Sequence, residues 1–253
     1  MTRPILAILA VASMAVGGLY AFVRLGGDLF PDDRDLGPEF AAATAAADRE
    51  THRVTPAMLD ATESLSQTRP QAPPFRTPAT DGVTYSSAEL AAGSTPVVLA
   101  FIKDGCPCSS DAQRFFNRLQ AAYGRDVRFL GVIDADSEKA RAWGRAHGTT
   151  FPLLLDPTLD VTRAYHAESS AYVAVIDKSG TLDHLYPGYS AAMLAEAGDR
   201  IARLAGVSPR PIDASGAPED LITGCPFDLA TSPEVAPATT SKPVQPASGP
   251  SSS

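Results

Sequence analysis

The sequence predicts an α/β domain with a central mixed sheet flanked by helices, and two patterns carry that prediction. Between residues 71 and 206, strand signals alternate with helix signals, as expected of packed βαβ units. At the end of this stretch, two apolar runs at 171–176 and 182–186 are joined by Asp177-Lys178-Ser179-Gly180, whose turn chemistry closes an antiparallel hairpin. An N-terminal transmembrane helix is expected ahead of the domain.

The elements follow in order. VVLAFI at 97–102 is continuously apolar and rich in strand formers, which suits a strand covered on both faces. The next helix, capped by Ser109 or Ser110, places Ala112, Phe115, Phe116, Leu119, Ala122 and Tyr123 at helical spacing, and Gly124 ends it. A strand at 127–133 leads to a helix at 137–147, ended by Gly148. A short apolar run at 151–155 and a brief helix at 158–165 come next. After the hairpin, Ser190 opens the last helix, with Met193, Leu194, Ala197, Ile201 and Leu204 as its core stripe. The order reads βαβαβαββα, without internal repeats.

The chain divides into five parts. Residues 1–24 are a signal anchor or signal peptide. Residues 25–70 are a polar, Ala-rich spacer in which 54–65 has helical character. Residues 71–206 are the domain, and 207–230 an extension carrying Cys225. The Pro/Ser/Thr/Ala-rich stretch 231–253 cannot form a core and is expected to be disordered.

The N-terminus bears on the compartment. The uncharged run from Pro4 to Val23 has 20 residues, about enough to span a bilayer as a helix. Arg3 and Arg24 nearly balance the flanking charge, and the acids Asp28, Asp32 and Asp33 tip the orientation towards N-terminus-in. Ser13-Met14-Ala15 also fits the small-x-small pattern of a cleaved signal peptide, although the apolar run continues well past it. Either reading exports the domain: as a single-pass membrane protein facing the periplasm or outside, or as a secreted protein.

A net charge of −8 over 253 residues, with no basic patch, argues against a nucleic-acid partner. Three cysteines, Cys106, Cys108 and Cys225, are too few for a disulfide scaffold and point towards thiol chemistry. The four histidines, His52, His147, His166 and His184, stand at no ligand spacing from a cysteine. Neither a metal nor another cofactor is therefore expected. Asp134 and Asp136 follow a strand end and read as a solvated loop.

Cys106-Pro107-Cys108 lies where a buried strand gives way to a helix start. Unpaired N–H groups and the macrodipole there favour negative charge, and the thiolate is the nucleophilic form of cysteine. Lys103 would add to this if it pointed at Cys106, and Pro107 removes one donor and stiffens the turn. A bond between Cys106 and Cys108 would be tight and strained, hence an oxidant rather than a staple.

Four stretches occur in order: QAPPFRTPATDGVTYSSAEL, VVLAFIKDGCPCSS, TTFPLLLDPTLDVTRAYH and AYVAVIDKSGTL. Together they resemble the redoxin group of the thioredoxin-like superfamily. This group includes membrane-anchored bacterial thiol–disulfide oxidoreductases and peroxiredoxins of the alkyl hydroperoxide reductase/thiol-specific antioxidant type. The resemblance implies a thioredoxin-like fold and an enzyme acting through Cys106, with Cys108 or Cys225 as the resolving thiol. Two-cysteine peroxiredoxins are similar in carrying a resolving cysteine after the domain, often before proline, as in Cys225-Pro226. The implied partners are protein thiols and disulfides or, for a thiol peroxidase with Cys106 peroxidatic, hydroperoxides.

The chain also departs from these templates. Only Pro107 separates the two close cysteines, where the oxidoreductases have two residues. Lys103 stands where peroxiredoxins place Thr or Ser. Glu168-Ser169-Ser170 offers neither the peroxiredoxin arginine nor the thioredoxin proline. These departures keep a third reading open, a non-catalytic binding or copper-handling module with His166 near the strand at 171–176.

Overall fold

The computed structural model describes residues 52–230. The apolar run, most of the spacer and the Pro/Ser-rich tail lie outside the described residues. Among the described residues, no helix is long and apolar enough to cross a membrane.

The chain forms, in order, α1 (Pro56–Thr68), β1 (Arg76–Pro78), β2 (Thr84–Ser86), α2 (Ser87–Ala92), β3 (Val97–Ile102), α3 (Pro107–Tyr123), β4 (Arg128–Ile133), α4 (Ser137–Ala146), β5 (Leu153–Leu155), α5 (Asp160–Ala164), β6 (Val173–Ile176), β7 (Leu182–Tyr186) and α6 (Ala191–Ala205). The central sheet has the order β5-β4-β3-β6-β7. Strands β3, β4 and β5 run parallel, while β6 pairs antiparallel with both β3 and β7. From β3 to α6, this is the predicted order of elements.

Every residue of β3 is buried, because both faces of the sheet are covered. Val98, Ala100 and Ile102 face α3, α4 and α6, where Phe115, Phe116, Leu119, Trp143, Leu194 and Ile201 pack. Val97, Leu99 and Phe101 face the other way, towards Tyr165, Leu159 and Val161, with Met58 and Leu65 of α1 at the margin. Continuous apolarity in the sequence is thus the signature of a strand between two helical layers.

Local chemistry sets the boundaries. Thr55 caps α1 through Met58 N–H, Asp136 caps α4 through Glu138 and Lys139 N–H, and Ser190 caps α6 through Met193 N–H. The expected cap of α3 is corrected. The helix begins at Pro107 with Cys106 as N-cap, not at Ser109 or Ser110. Proline suits the first helical position because its fixed φ matches and its missing N–H had no partner to lose. Strand β6 starts at Val173 rather than 171, because Ala171 has a φ of 64° and breaks the extended run. The β1–β2 hairpin and α2 come from residues that carry no clear periodicity.

After α6 the chain turns back onto the domain. Val207, Ile212, Ala214, Ala217 and Leu221 pack on the core beside α3 and α6. Residues 221–229 then run as a strap across the end of the sheet. Ile222 exchanges backbone hydrogen bonds with Tyr189 at 2.8 and 3.1 Å, while Val54 N–H and Thr223 N–H donate to Leu221 and His52 carbonyls at 3.2 and 2.7 Å. Ile222 is buried in the core on the α3 side, and Phe227 in the core on the α5 side. The strap therefore passes from one layer to the other over the end where α3 begins.

Candidate thiol–disulfide site

Strand β3 ends at Ile102, and three backbone features turn the chain into α3. Gly105 takes a φ of +74°, which an L side chain would strain. Cys106 N–H donates to the Lys103 carbonyl at 3.3 Å, and Asp104 N–H to Asp134 Oδ1 at 2.7 Å. Asp134 and Asp136 are thus a turn anchor and a helix cap rather than a solvated pair. Burial raises the Asp134 carboxyl above the usual carboxylate range, against the backbone hydrogen bond from Asp104.

This turn leaves Cys106 as the N-cap residue of α3 in extended conformation, with a side chain 2% exposed. It forms a disulfide with Cys225 of the strap, with the two Cα atoms 6.0 Å apart. Cys108 lies one residue inside the helix, buried and outside the disulfide. Residues two apart at a helix start do not face each other, so the strained Cys106–Cys108 bond does not form here.

Sequence reasoning missed the groups that surround the sulfur. Lys103 N–H donates to Ser109 Oγ at 3.1 Å, Ser109 Oγ to Ser170 Oγ at 2.7 Å, and Ser170 Oγ to Cys106 Sγ at 3.5 Å. All three bonds point the same way, so the chain of hydroxyls ends with a proton aimed at Cys106. Cys225 N–H reaches the same sulfur at 3.2 Å. The Ser170 hydroxyl and the start of α3 thus place neutral donors beside Cys106 independently of the strap, while the Cys225 N–H contact belongs to the disulfide-bonded state. Ser109 was legible only as a helix cap. Ser170 was legible only as part of the segment that lacks the templates' arginine or proline; its contact with the sulfur site was not, because it arrives from 61 residues further along the chain.

Lys103, expected to assist Cys106 by charge, instead sends Nζ to the Pro226 carbonyl at 2.6 Å. It clamps the strap. Pro107 occupies the first helical position. On the far side of the turn, a groove of about 450 Å³ is lined by Gly105, Pro107, Ser110, Lys139, Trp143 and His147.

Among the described residues, no three His, Cys, Asp or Glu side chains converge to hold a metal. His166 lines a separate cleft with Met58, Glu168 and Tyr172, to which no cysteine contributes.

A mixed sheet in this strand order, flanked by helices, with a disulfide at the N-terminus of the helix after its central strand, is the thioredoxin-like fold. Residues 68–185 match the model of the AhpC/TSA family. No curated protein sequence matches the chain. Among solved structures, the chain is similar to a candidate protein disulfide isomerase from Bacteroides thetaiotaomicron, with 23% identity and a TM-score of 0.50, covering 55% of this chain and 89% of that one. A candidate thiol:disulfide interchange protein DsbE from Chlorobium tepidum has 21% identity and a TM-score of 0.49, covering 54% and 96%. Peroxiredoxin Q from Xanthomonas campestris has 16% identity and a TM-score of 0.46, covering 52% and 91%. At 23% identity, the likeness to the first of these speaks to the fold alone.

Proposed function

We propose that the domain carries out thiol–disulfide exchange, with Cys106 as the nucleophile and Cys225 as its resolving thiol. The observation that carries this reading is the disulfide joining the helix-start cysteine to a cysteine on a separable strap. Cys106 is sealed while Cys225 is partly exposed. A donor thiolate therefore attacks Cys225, and Cys106 leaves as the thiolate. Its surroundings stabilise that charge, and a better leaving group departs faster. A second donor thiolate then cleaves the donor–Cys225 bond, forming the donor disulfide and freeing the Cys225 thiolate. The freed Cys106 thiolate then attacks a partner disulfide. The returning Cys225 thiolate cleaves the mixed bond, releases the partner as a thiol and restores the Cys106–Cys225 bond.

Reduction of insulin by the pre-reduced protein tests this reading. We expect turnover with the native chain and none with Cys106→Ser; equal rates for the two would sink the proposal. Non-reducing peptide mapping that found Cys106 joined to Cys108 instead would remove Cys225 from the resolving role.

The AhpC/TSA match favours a second reading, a thiol peroxidase. Peroxide would oxidise Cys106 to a sulfenic acid, which Cys225 would condense with to give the same disulfide. Consumption of hydrogen peroxide or an organic hydroperoxide with a thiol donor separates the two activities.

We place the domain outside the cytoplasm, tethered or released by residues 1–24. The uncharged run at 4–23 and the use of a disulfide both support this location. Fractionation of cells expressing the full chain or a version lacking residues 1–24 tests it, and an unchanged soluble distribution would overturn it.

A further inference from the structure

The strap does more than carry Cys225. Its residues 224–227 lie antiparallel to 168–170, the segment just before β6. Gly224 N–H donates to the Ser170 carbonyl at 2.8 Å, Ser170 N–H to the Cys225 carbonyl at 3.0 Å, and Phe227 N–H to the Glu168 carbonyl at 2.9 Å. Ser169 and Pro226 form the bridge between these bonds. The 168–170 segment is itself fixed to the sheet, since Ala171 N–H donates to the Phe101 carbonyl at 2.7 Å. Removing the strap would leave an open backbone edge beside Cys106, of the kind that recruits an extended chain.

Two positions give this edge a reading frame. A Cβ on Gly224 would stand 2.0 Å from Ser170 Oγ and 3.0 Å from the Ser170 carbonyl oxygen, so no side chain fits immediately before the cysteine. Two residues after the cysteine, Phe227 is buried among the side chains of the α5 layer. Pro226, between them, is exposed and offers only its carbonyl to Lys103.

We infer that this edge is the substrate groove, and that it takes an extended polypeptide with glycine directly before its disulfide-bonded cysteine and an aromatic or large apolar residue two places after it. The strap sequence Gly224-Cys225-Pro226-Phe227 is the groove's internal occupant. This inference rests on the exchange reading and adds its substrate class. In the reduced protein the strap vacates the edge and the partner segment pairs there. Cys106 thiolate attacks the partner's cysteine sulfur, forming the mixed disulfide and expelling the second partner sulfur as a thiolate. The strap then competes for the edge. As Cys225 thiolate attacks Cys106 Sγ, the mixed bond breaks, the partner cysteine leaves as a thiolate that water protonates, and the strap displaces the partner segment. Two electrons pass from the Cys106/Cys225 dithiol to the partner disulfide, and product release is built into the resolving step.

The test uses the reduced full-length protein and short peptides whose single cysteine is bonded to thionitrobenzoate, with release of the yellow thiolate followed over time. The peptides are Thr-Gly-Cys-Pro-Phe, the same sequence with alanine for glycine, and the same sequence with alanine for phenylalanine. A small disulfide, hydroxyethyl disulfide, is run alongside. The glycine-to-alanine change is expected to slow release by about tenfold or more, the scale of overpacking a tight site. The loss of phenylalanine is expected to slow it by several-fold. Equal rates for all three peptides, with hydroxyethyl disulfide still reduced, would overturn the groove while leaving the exchange reading intact. Failure to reduce any of the disulfides would overturn both.

Discussion

The sulfur site at the start of α3 and the ionic cluster around Asp183 on β7 are both polar islands against an apolar sheet, yet they are built in opposite ways. Around Cys106 the groups are neutral: two hydroxyls and a backbone N–H, closed over by a segment held through backbone bonds and one covalent link. Around Asp183 the groups are charged and closed in upon one another. The Asp183 side chain is fully buried and meets Arg69 at 2.9 Å, Arg200 at 3.0 Å and Arg203 at 3.1 Å. Arg69 also pairs with Asp177 at 3.0 Å, and Arg200 with Glu196 at 2.8 Å. Three carboxylates answer three guanidiniums within the cluster. A cleft of about 710 Å³ opens beside that cluster. Volume and charge density alone would choose it over the sulfur site. Neutral donors converging on one nucleophile, under a removable cover, are the better mark of chemistry.

Experiments can break this contrast. The largest effect is expected from Cys106→Ser, which should lower disulfide exchange by about a thousandfold or more, because no other group can take over as nucleophile. Activity surviving at a tenth of the native rate would place the chemistry elsewhere. Opening the disulfide by Cys225→Ser should lower the unfolding free energy by up to about 4–5 kcal/mol in the chain-entropy model, since the bond closes a separation of 119 residues. Urea denaturation of the two proteins without reductant measures this, and hydrogen exchange should place the loosening in 222–229.

On the ionic side, Asp183→Asn should cost about 1–2 kcal/mol, because the partly buried Arg200 loses its counter-charge while Arg69 and Arg203 are exposed and screened by water. It should leave the rate of exchange unchanged. A large loss of activity without a loss of stability would undo the contrast. Ser170→Ala should slow alkylation of reduced Cys106 at neutral pH by about fivefold, the equivalent of one hydrogen bond of about 1 kcal/mol.

The smallest effect concerns His184, beside the ionic cluster. Burial, and then the Arg200 charge, hold its imidazole below the ordinary 6.5. The folded state thus binds fewer protons than the unfolded chain as the pH falls below about 6.5. The stability contributed by neutral His184 is complete above that pH and declines below it, with a slope no steeper than about 1.4 kcal/mol per pH unit. Denaturation midpoints at pH 7.5 and 5.5 should show this slope, and His184→Gln should flatten it.

Much of this architecture was legible in the sequence because its cause is local. VVLAFI reads as a two-faced strand because every residue in it must avoid water on both sides of the sheet. The helix stripes, the Ser190 cap and the 177–180 turn follow from spacing and side-chain chemistry within a few residues. So does the placement of Cys106 at a strand-to-helix junction. The start of α3 was misplaced because Ser109 has two uses for its hydroxyl, and the tertiary structure assigns it to Lys103 and Ser170 rather than to a cap.

What only the tertiary structure decided is non-local. The sequence alone left Cys108 and Cys225 as equal partners for Cys106. The choice fell to Cys225 because a helix start turns Cys106 and Cys108 apart, while backbone pairing with 168–170 carries Cys225 onto the sulfur. Ser170 and the close fit of Gly224 likewise exist only once segments far apart in the chain are packed together. The sequence determined that Cys106 stands at the start of a helix. The fold determined which cysteine it is bonded to, because pairing between distant segments leaves no periodicity to read along the chain.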